Sequence, residues 1–161
     1  VCNDNVTMSI VDGIREDVTI TETVPPTVSS TTIKLNSGSY GPADTASTEY
    51  CNTDIIVSFD EGMDNSSVTA NTSNNSCNVG SIKVSSNSSF SGNNCIQMGS
   101  TPTPSNSNMT FTLDPGNLNN NTTFYIRVTT GVKDTNGNPM SSDNTTGTGF
   151  STSGDSGKYG C

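Results

Sequence analysis

Met109-Thr-Phe-Thr-Leu113, the Asp114-Pro-Gly116 step and Thr123-Phe-Tyr-Ile-Arg-Val128 decide the fold. In the first run Met109, Phe111 and Leu113 alternate with Thr110 and Thr112. In the second, Phe124, Ile126 and Val128 alternate with Tyr125 and Arg127. A period of two places every apolar side chain on one face of a β-strand. Asp-Pro-Gly supplies a turn, because Pro presets φ and Gly accepts a positive one. Two strands of this kind, separated by a turn, predict β-structure with one face against a core.

The same pattern continues outward. Asp54-Ile-Ile-Val-Ser-Phe59 is the strongest buried strand upstream, and Val28-Ser-Ser-Thr-Thr-Ile33-Lys-Leu35 is a first strand. Ser81-Ile-Lys-Val84 and Cys95-Ile-Gln-Met98 flank a polar hairpin, and Gly149-Phe-Ser-Thr152 closes the body. Gly38 to Glu49 reads as a turn-rich loop. Glu61-Gly-Met-Asp64 reads as a turn with Val68 tucked beneath it, and Asp134 to Pro139 as a tight loop. Seven to nine short strands with turn signals between them are the pattern of an all-β, immunoglobulin-like antiparallel β-sandwich.

Composition agrees. Of 161 residues only 29% are hydrophobic, below the usual ~45–50% apolar share. A sandwich folds on such a chain because alternate residues of each strand line a thin core. Disorder is the competing reading, but only 13% of residues are charged and strand patterns are clear. The net charge of −9 argues against nucleic-acid binding, since no Lys/Arg cluster is present to neutralise phosphates. No apolar run approaches the ~18–20 residues of a membrane-spanning helix, and no signal peptide is present. The first residue therefore reads as the start of a mature or excised chain.

The body is expected to run over residues 25–153. Residues 1–24 form an N-terminal arm with strand character: Val6, Met8 and Ile10 alternate with polar residues, and Val18 and Ile20 do so after Asp12-Gly13. Pro25-Pro26 then fixes an extended connection. Residues 154–161 are a Gly/Ser-rich tail.

Cysteines stand at 2, 51, 77, 95 and 161, and there is no His. None forms a Cys-x-x-Cys pair, so zinc fingers and His-dependent catalysis are disfavoured. Scattered cysteines in a chain rich in Asn, Ser and Thr point to an oxidising, extracellular or cell-surface setting. Cys77 and Cys95 are the favoured disulfide, a staple for a lean core. Other connectivities stay open. Cys2, Cys51 and Cys161 remain as candidates for arm or intersubunit bonds, and an odd count implies an intermolecular bond or a free thiol. Sequons for glycan attachment begin at Asn5, Asn65, Asn71, Asn74, Asn87, Asn108, Asn120, Asn121 and Asn144. Such Asn/Ser/Thr content also generates sequons by chance.

Several ordered motifs resemble the bacterial Ig-like domain of surface-layer and other cell-surface proteins. Pro25-Pro-Thr-Val-Ser-Ser30 is similar to its opening. Ile56-Val-Ser-Phe59 followed by Asp60-Glu-Gly-Met-Asp-Asn-Ser-Ser-Val68 is similar to its strand and acidic turn. Leu118 to Val128 resembles its asparagine–threonine–aromatic strand entry, Gly131 to Met140 its Asp/Gly/Asn loop, and Phe150-Ser-Thr152 its ending. The resemblance covers about residues 25–153 and implies a non-catalytic structural module. The arm and the cysteines lie outside the family pattern.

Three readings of the arm follow. It is the tail of a preceding domain, an extra strand of its own sandwich, or a strand added to the sheet of a neighbouring subunit. The last, through Val6, Met8, Ile10, Val18 and Ile20, generates a head-to-tail homopolymer, because such a contact does not close on itself. The expected function is thus a structural subunit of an extracellular filament or surface assembly. The alternative is a spacer or adhesion domain of a longer tandem-domain surface protein.

Enzyme activity is not expected, since there is no Trp platform for sugar, no His base and no nucleophile elbow. No cofactor is expected. Asp60, Glu61 and Asp64 are weak calcium candidates. Asp134, Asn136 and Asn138 open like a calcium loop, but Gly137 is fourth, Pro139 sixth and Thr145 twelfth, so the match fails and a tight turn is the reading.

Overall fold

A computed structural model of the chain describes residues 21–35, 37–47 and 49–154. Every regular element among them is a strand, and none of these residues is helical. The strands are β1 (Val28–Lys34), β2 (Tyr40–Pro42), β3 (Ile55–Phe59), β4 (Ile82–Ser85), β5 (Thr103–Ser105), β6 (Thr110–Leu113), β7 (Thr123–Val128), β8 (Asn144–Thr145) and β9 (Phe150–Ser151).

One sheet has the order β2-β1-β3-β6-β5. In the other, β4 pairs with β7, and β7 pairs on its far side with β8 and β9. All strand pairs are antiparallel. Alternation sets which side chains meet. Ile55, Val57 and Phe59 of β3 are buried, as are Phe111 and Leu113 of β6. Phe124, Ile126 and Val128 supply the opposing face from β7, with Ile82 and Val84 from β4. The Phe59 and Phe111 rings meet edge-on at 5.9 Å, and Phe124 and Phe150 at 5.7 Å, within the range of favourable aromatic pairs. Met63 is fully buried and Val68 nearly so, sealing the core from the acidic turn.

Two elements differ from the sequence reading. Tyr40–Pro42, read as loop, forms β2 against Thr32–Lys34. Three residues carry too little pattern to announce a strand. Cys95 to Met98, read as a strand, makes one bridge to Ser85 and a bond from Ile96 N to Val84 O at 2.8 Å, without a ladder. Met98 and Ile96 pack on the main core, while the disulfide and a second small core hold Cys95. The sulfurs of Cys77 and Cys95 are 2.08 Å apart. Both cysteines are buried with Phe90 against Tyr125, and the Arg127 guanidinium lies 4.2 Å over the Phe90 ring.

Candidate functional site

One end of the sandwich gathers acid. The turn from Asp134 to Asn138 closes by Asp134 N to Asn138 O (3.0 Å) and Gly137 N to Asp134 O (3.2 Å). Gly137 takes φ +92°, which glycine adopts without strain. Asp134 is fully buried. Its Oδ1 accepts the amides of Asn136 and Asn138, each at 2.8 Å, and its Oδ2 accepts Asn138 Nδ2 at 2.7 Å. This is an Asx-type cap, the reason Asp suits the position.

Asn138 then reaches out of the turn. Its Nδ2 donates to Glu22 Oε2 (2.8 Å) and to Glu22 O (3.1 Å), and Asn136 Nδ2 donates to Glu22 Oε2 at 3.2 Å. Glu22 lies three residues ahead of Pro25, on the arm side of the expected boundary, yet it is bonded to the body. From the other side, Met63 bridges to Asp134, and Thr135 N donates to Gly62 O at 3.2 Å. That contact brings in Glu61. One carboxylate oxygen from each of Glu22, Glu61 and Asp134 lies within 4.8 Å of the others.

Like charges this close cannot all ionise freely. Glu61 is pushed up to about 7, first by burial and then by the charges of Asp134, Glu22 and Asp60. Burial also opposes ionisation of Asp134, but the hydrogen bonds from Asn138 outweigh it and hold its carboxyl below the usual range. The arrangement is chemically able to retain a proton at neutral pH. Its all-oxygen donor set is of the kind hard divalent cations take.

The residues read from sequence as calcium candidates are divided among three tasks. Glu61 joins the trio. Asp60 accepts Thr27 N at 2.8 Å and Thr27 Oγ1 at 2.7 Å, pinning the start of β1. Asp64 accepts Ser66 N at 2.9 Å and Ser66 Oγ at 2.8 Å, which hold its carboxyl below the usual range. Sequence reasoning missed Glu22, because no local spacing links it to a turn 116 residues away.

The glycan candidates differ in exposure. Asn65, Asn74, Asn87, Asn120, Asn121 and Asn144 are exposed, and Asn108 is half-buried. Asn71 is buried and its amide is engaged: Nδ2 donates to Asn74 Oδ1 (2.7 Å) and Ser76 O (3.0 Å), while Oδ1 accepts Ser73 N at 3.1 Å. Cys51 is fully buried and disulfide-bonded. Asn5, Cys2, Cys161 and the arm residues Val6, Met8, Ile10, Val18 and Ile20 lie outside the described residues.

Two antiparallel sheets over a thin aromatic and aliphatic core, with an Asp-capped acidic turn at one end, define an immunoglobulin-like β-sandwich module. The chain belongs to the bacterial Ig-like domain family, whose model matches residues 22–152. A comparison with curated proteins finds no match. Among solved structures, the chain is similar to surface layer protein SbsC, domains 1–6, with 16% identity and a TM-score of 0.48 over 82% of this chain and 14% of that one. It is also similar to the S-layer protein rSbsC, with 17% identity and a TM-score of 0.47 over 82% of this chain and 14% of that one. The N-terminal part of the bacterial S-layer protein SbsC gives 15% identity and a TM-score of 0.48 over 81% of this chain and 24% of that one. The chain thus spans less than a quarter of the length of these structures.

Proposed function

We propose that this protein is a non-catalytic structural unit of an extracellular or cell-surface assembly, joined to its neighbours by strand addition from its N-terminal arm. Family membership supports a structural module. The observation that carries the assembly reading is the alternation of Val6, Met8 and Ile10 ahead of the sandwich body. A strand with one apolar face needs a sheet edge to cover it, and backbone pairing then supplies affinity. Five cysteines are an odd number, so at least one per chain lacks a partner within it. That residue joins two copies covalently in an oxidising setting. Exposed sequons suit a coat in contact with solvent.

A second reading, a spacer or adhesion domain of a longer surface protein, draws on the self-contained sandwich at residues 22–152. Electrophoresis with and without reductant, followed by sedimentation of the unreduced chain, separates the two. The assembly reading expects a band at twice the chain mass or above that collapses on reduction, and material that pellets. A monomer in both measurements contradicts it and leaves the spacer reading.

A further inference from the structure

Most of the sheet edges among the described residues are covered or blunted. In the five-stranded sheet, Ala43 N donates to Thr31 O (3.0 Å) and Leu35 N to Ser39 O (2.8 Å). Those bonds set the ladder phase of β2: Gly41 faces β1, and Tyr40 and Pro42 face outward. Pro42 has no amide hydrogen to offer a further strand. At the opposite edge, Phe59 N donates to Met109 O at 2.7 Å, which turns Phe111 toward β3 and Thr110 and Thr112 toward β5. Pro104, opposite Phe111, therefore faces outward, again without an amide hydrogen. Prolines on edge strands blunt pairing.

In the other sheet, the β4 edge is covered by its own chain. Ile82 N donates to Thr69 O (2.9 Å), Ile96 N to Val84 O (2.8 Å) and Ser86 N to Asn94 O (3.3 Å). The β9 edge is covered by residues 45–49, through Thr45 N to Gly149 O (2.8 Å), Ser151 N to Ala46 O (2.9 Å) and Glu49 N to Ser151 O (2.9 Å). That leaves β8. Thr146 N donates to Ile126 O at 3.0 Å, so Asn144 and Thr146 face β7 and Thr145 faces away.

Opposite Thr145, across a groove of about 230 Å³, runs the first half of β1. β2 pairs with β1 only from Thr32 onward. The bond from Ala43 N to Thr31 O turns the Thr31 backbone away from β3, and between Val28 and Ser30 the pairing with β3 shifts register in a bulge at Ser29. Among the described residues no hydrogen bond joins Val28–Thr31 to β8. Asp44 fixes the width of the groove at one end, accepting Thr148 N (2.7 Å), Gly149 N (2.8 Å) and Gly147 N (3.1 Å) on its two carboxylate oxygens. The gap is thus a slot between the two sheets, faced by the backbone of Thr31 on one wall and of Thr145 on the other.

We propose that this slot receives residues 6–10 of a second copy of the chain as an inserted strand. The proposal rests on the strand-addition reading and names its acceptor. Five extended residues span about 17 Å, longer than the four residues of β1 that line the slot. Their alternation fits a strand at the side of a sandwich: Val6, Met8 and Ile10 turn inward past half-buried Val28, while Thr7 and Ser9 face water. Most of the lining is Ser, Thr and other polar residues, so the backbone ladder supplies the pairing and the apolar side chains set the register.

The test uses the full chain and two independent groove variants, Thr31→Pro and Thr145→Pro, each of which removes an amide facing away from the neighbouring strand of its own sheet. Assembly is followed by sedimentation and electron microscopy, and folding by thermal melts. Each variant is expected to lose at least tenfold in pelleted material while melting like the parent. Hydrogen exchange on the unmodified chain gives a reading free of folding defects: the amides of Thr31 and Thr145 gain protection on assembly, while Tyr40 does not. Unchanged assembly in folded groove variants, or no added protection at these amides, overturns the slot as acceptor. The triple variant V6S/M8S/I10S keeps the two ideas apart. Assembly lost in it but kept in the groove variants leaves strand addition standing and the slot wrong. Assembly kept in the arm variant overturns both, as does a parent chain that does not assemble.

Discussion

Glu61 is the residue whose surroundings most alter its chemistry. Its ordinary value is 4.5 and its folded value about 7. The folded state therefore binds the extra proton between these limits, and stability falls as pH rises through that window. The contribution is fully present below 4.5 and lost above 7. Glu61→Gln mimics the protonated form, so it is expected to raise the melting temperature at pH 8 and to match the parent near pH 4. Asp134, held low, acts with the opposite sign, its contribution being lost only as pH falls below the ordinary carboxylate range. Melts from pH 4 to 8 check this, and equal slopes for parent and variant would contradict it. Asn71 makes a second residue-scale prediction. Its amide satisfies buried donors and a carbonyl in the 71–76 loop, so Asn71→Ala is expected to cost about 1–3 kcal/mol in denaturant unfolding. Peptide mapping of native material should find Asn71 unmodified even where exposed sequons carry glycan.

At the scale of elements, the disulfide and the strand patterns carry the account. Cys77 and Cys95 are 18 residues apart, and a loop of that size corresponds to about 3 kcal/mol in the chain-entropy model. The double variant C77S/C95S is expected to lose about that much stability in denaturant, with the second small core around Phe90 loosened most. The central strands were legible because alternation is local: Ile55, Val57 and Phe59 and their partners declare a buried face without reference to the rest of the fold. β2 was not, because three residues hold less than two periods. Cys95–Met98 had the right residue types, but only Ser85 and Val84 contact it in ladder fashion. The acidic turn was half legible. The Asp134–Asn138 cap follows from turn chemistry, whereas the meeting of Glu22, Glu61 and Asp134 depends on how distant segments pack.

At the scale of the molecule, the described residues leave a lateral slot, and the sequence ahead of them carries a strand-patterned arm. The hydrophobic share of 29% suffices because two thin sheets share a core of alternate residues. The same economy leaves no large apolar face among the described residues to drive association. The proposed assembly then draws on backbone pairing along an edge, and Pro42 on β2 and Pro104 on β5 blunt two of the edges available for it. The most direct measurement is electron cryo-microscopy of the assembled chain at a resolution that traces backbone. The account predicts repeating Ig-like sandwiches in which residues 6–10 of one subunit lie as a strand between β1 and β8 of the next. Separate sandwiches with an empty slot, or a slot filled by the arm of the same subunit, would contradict it.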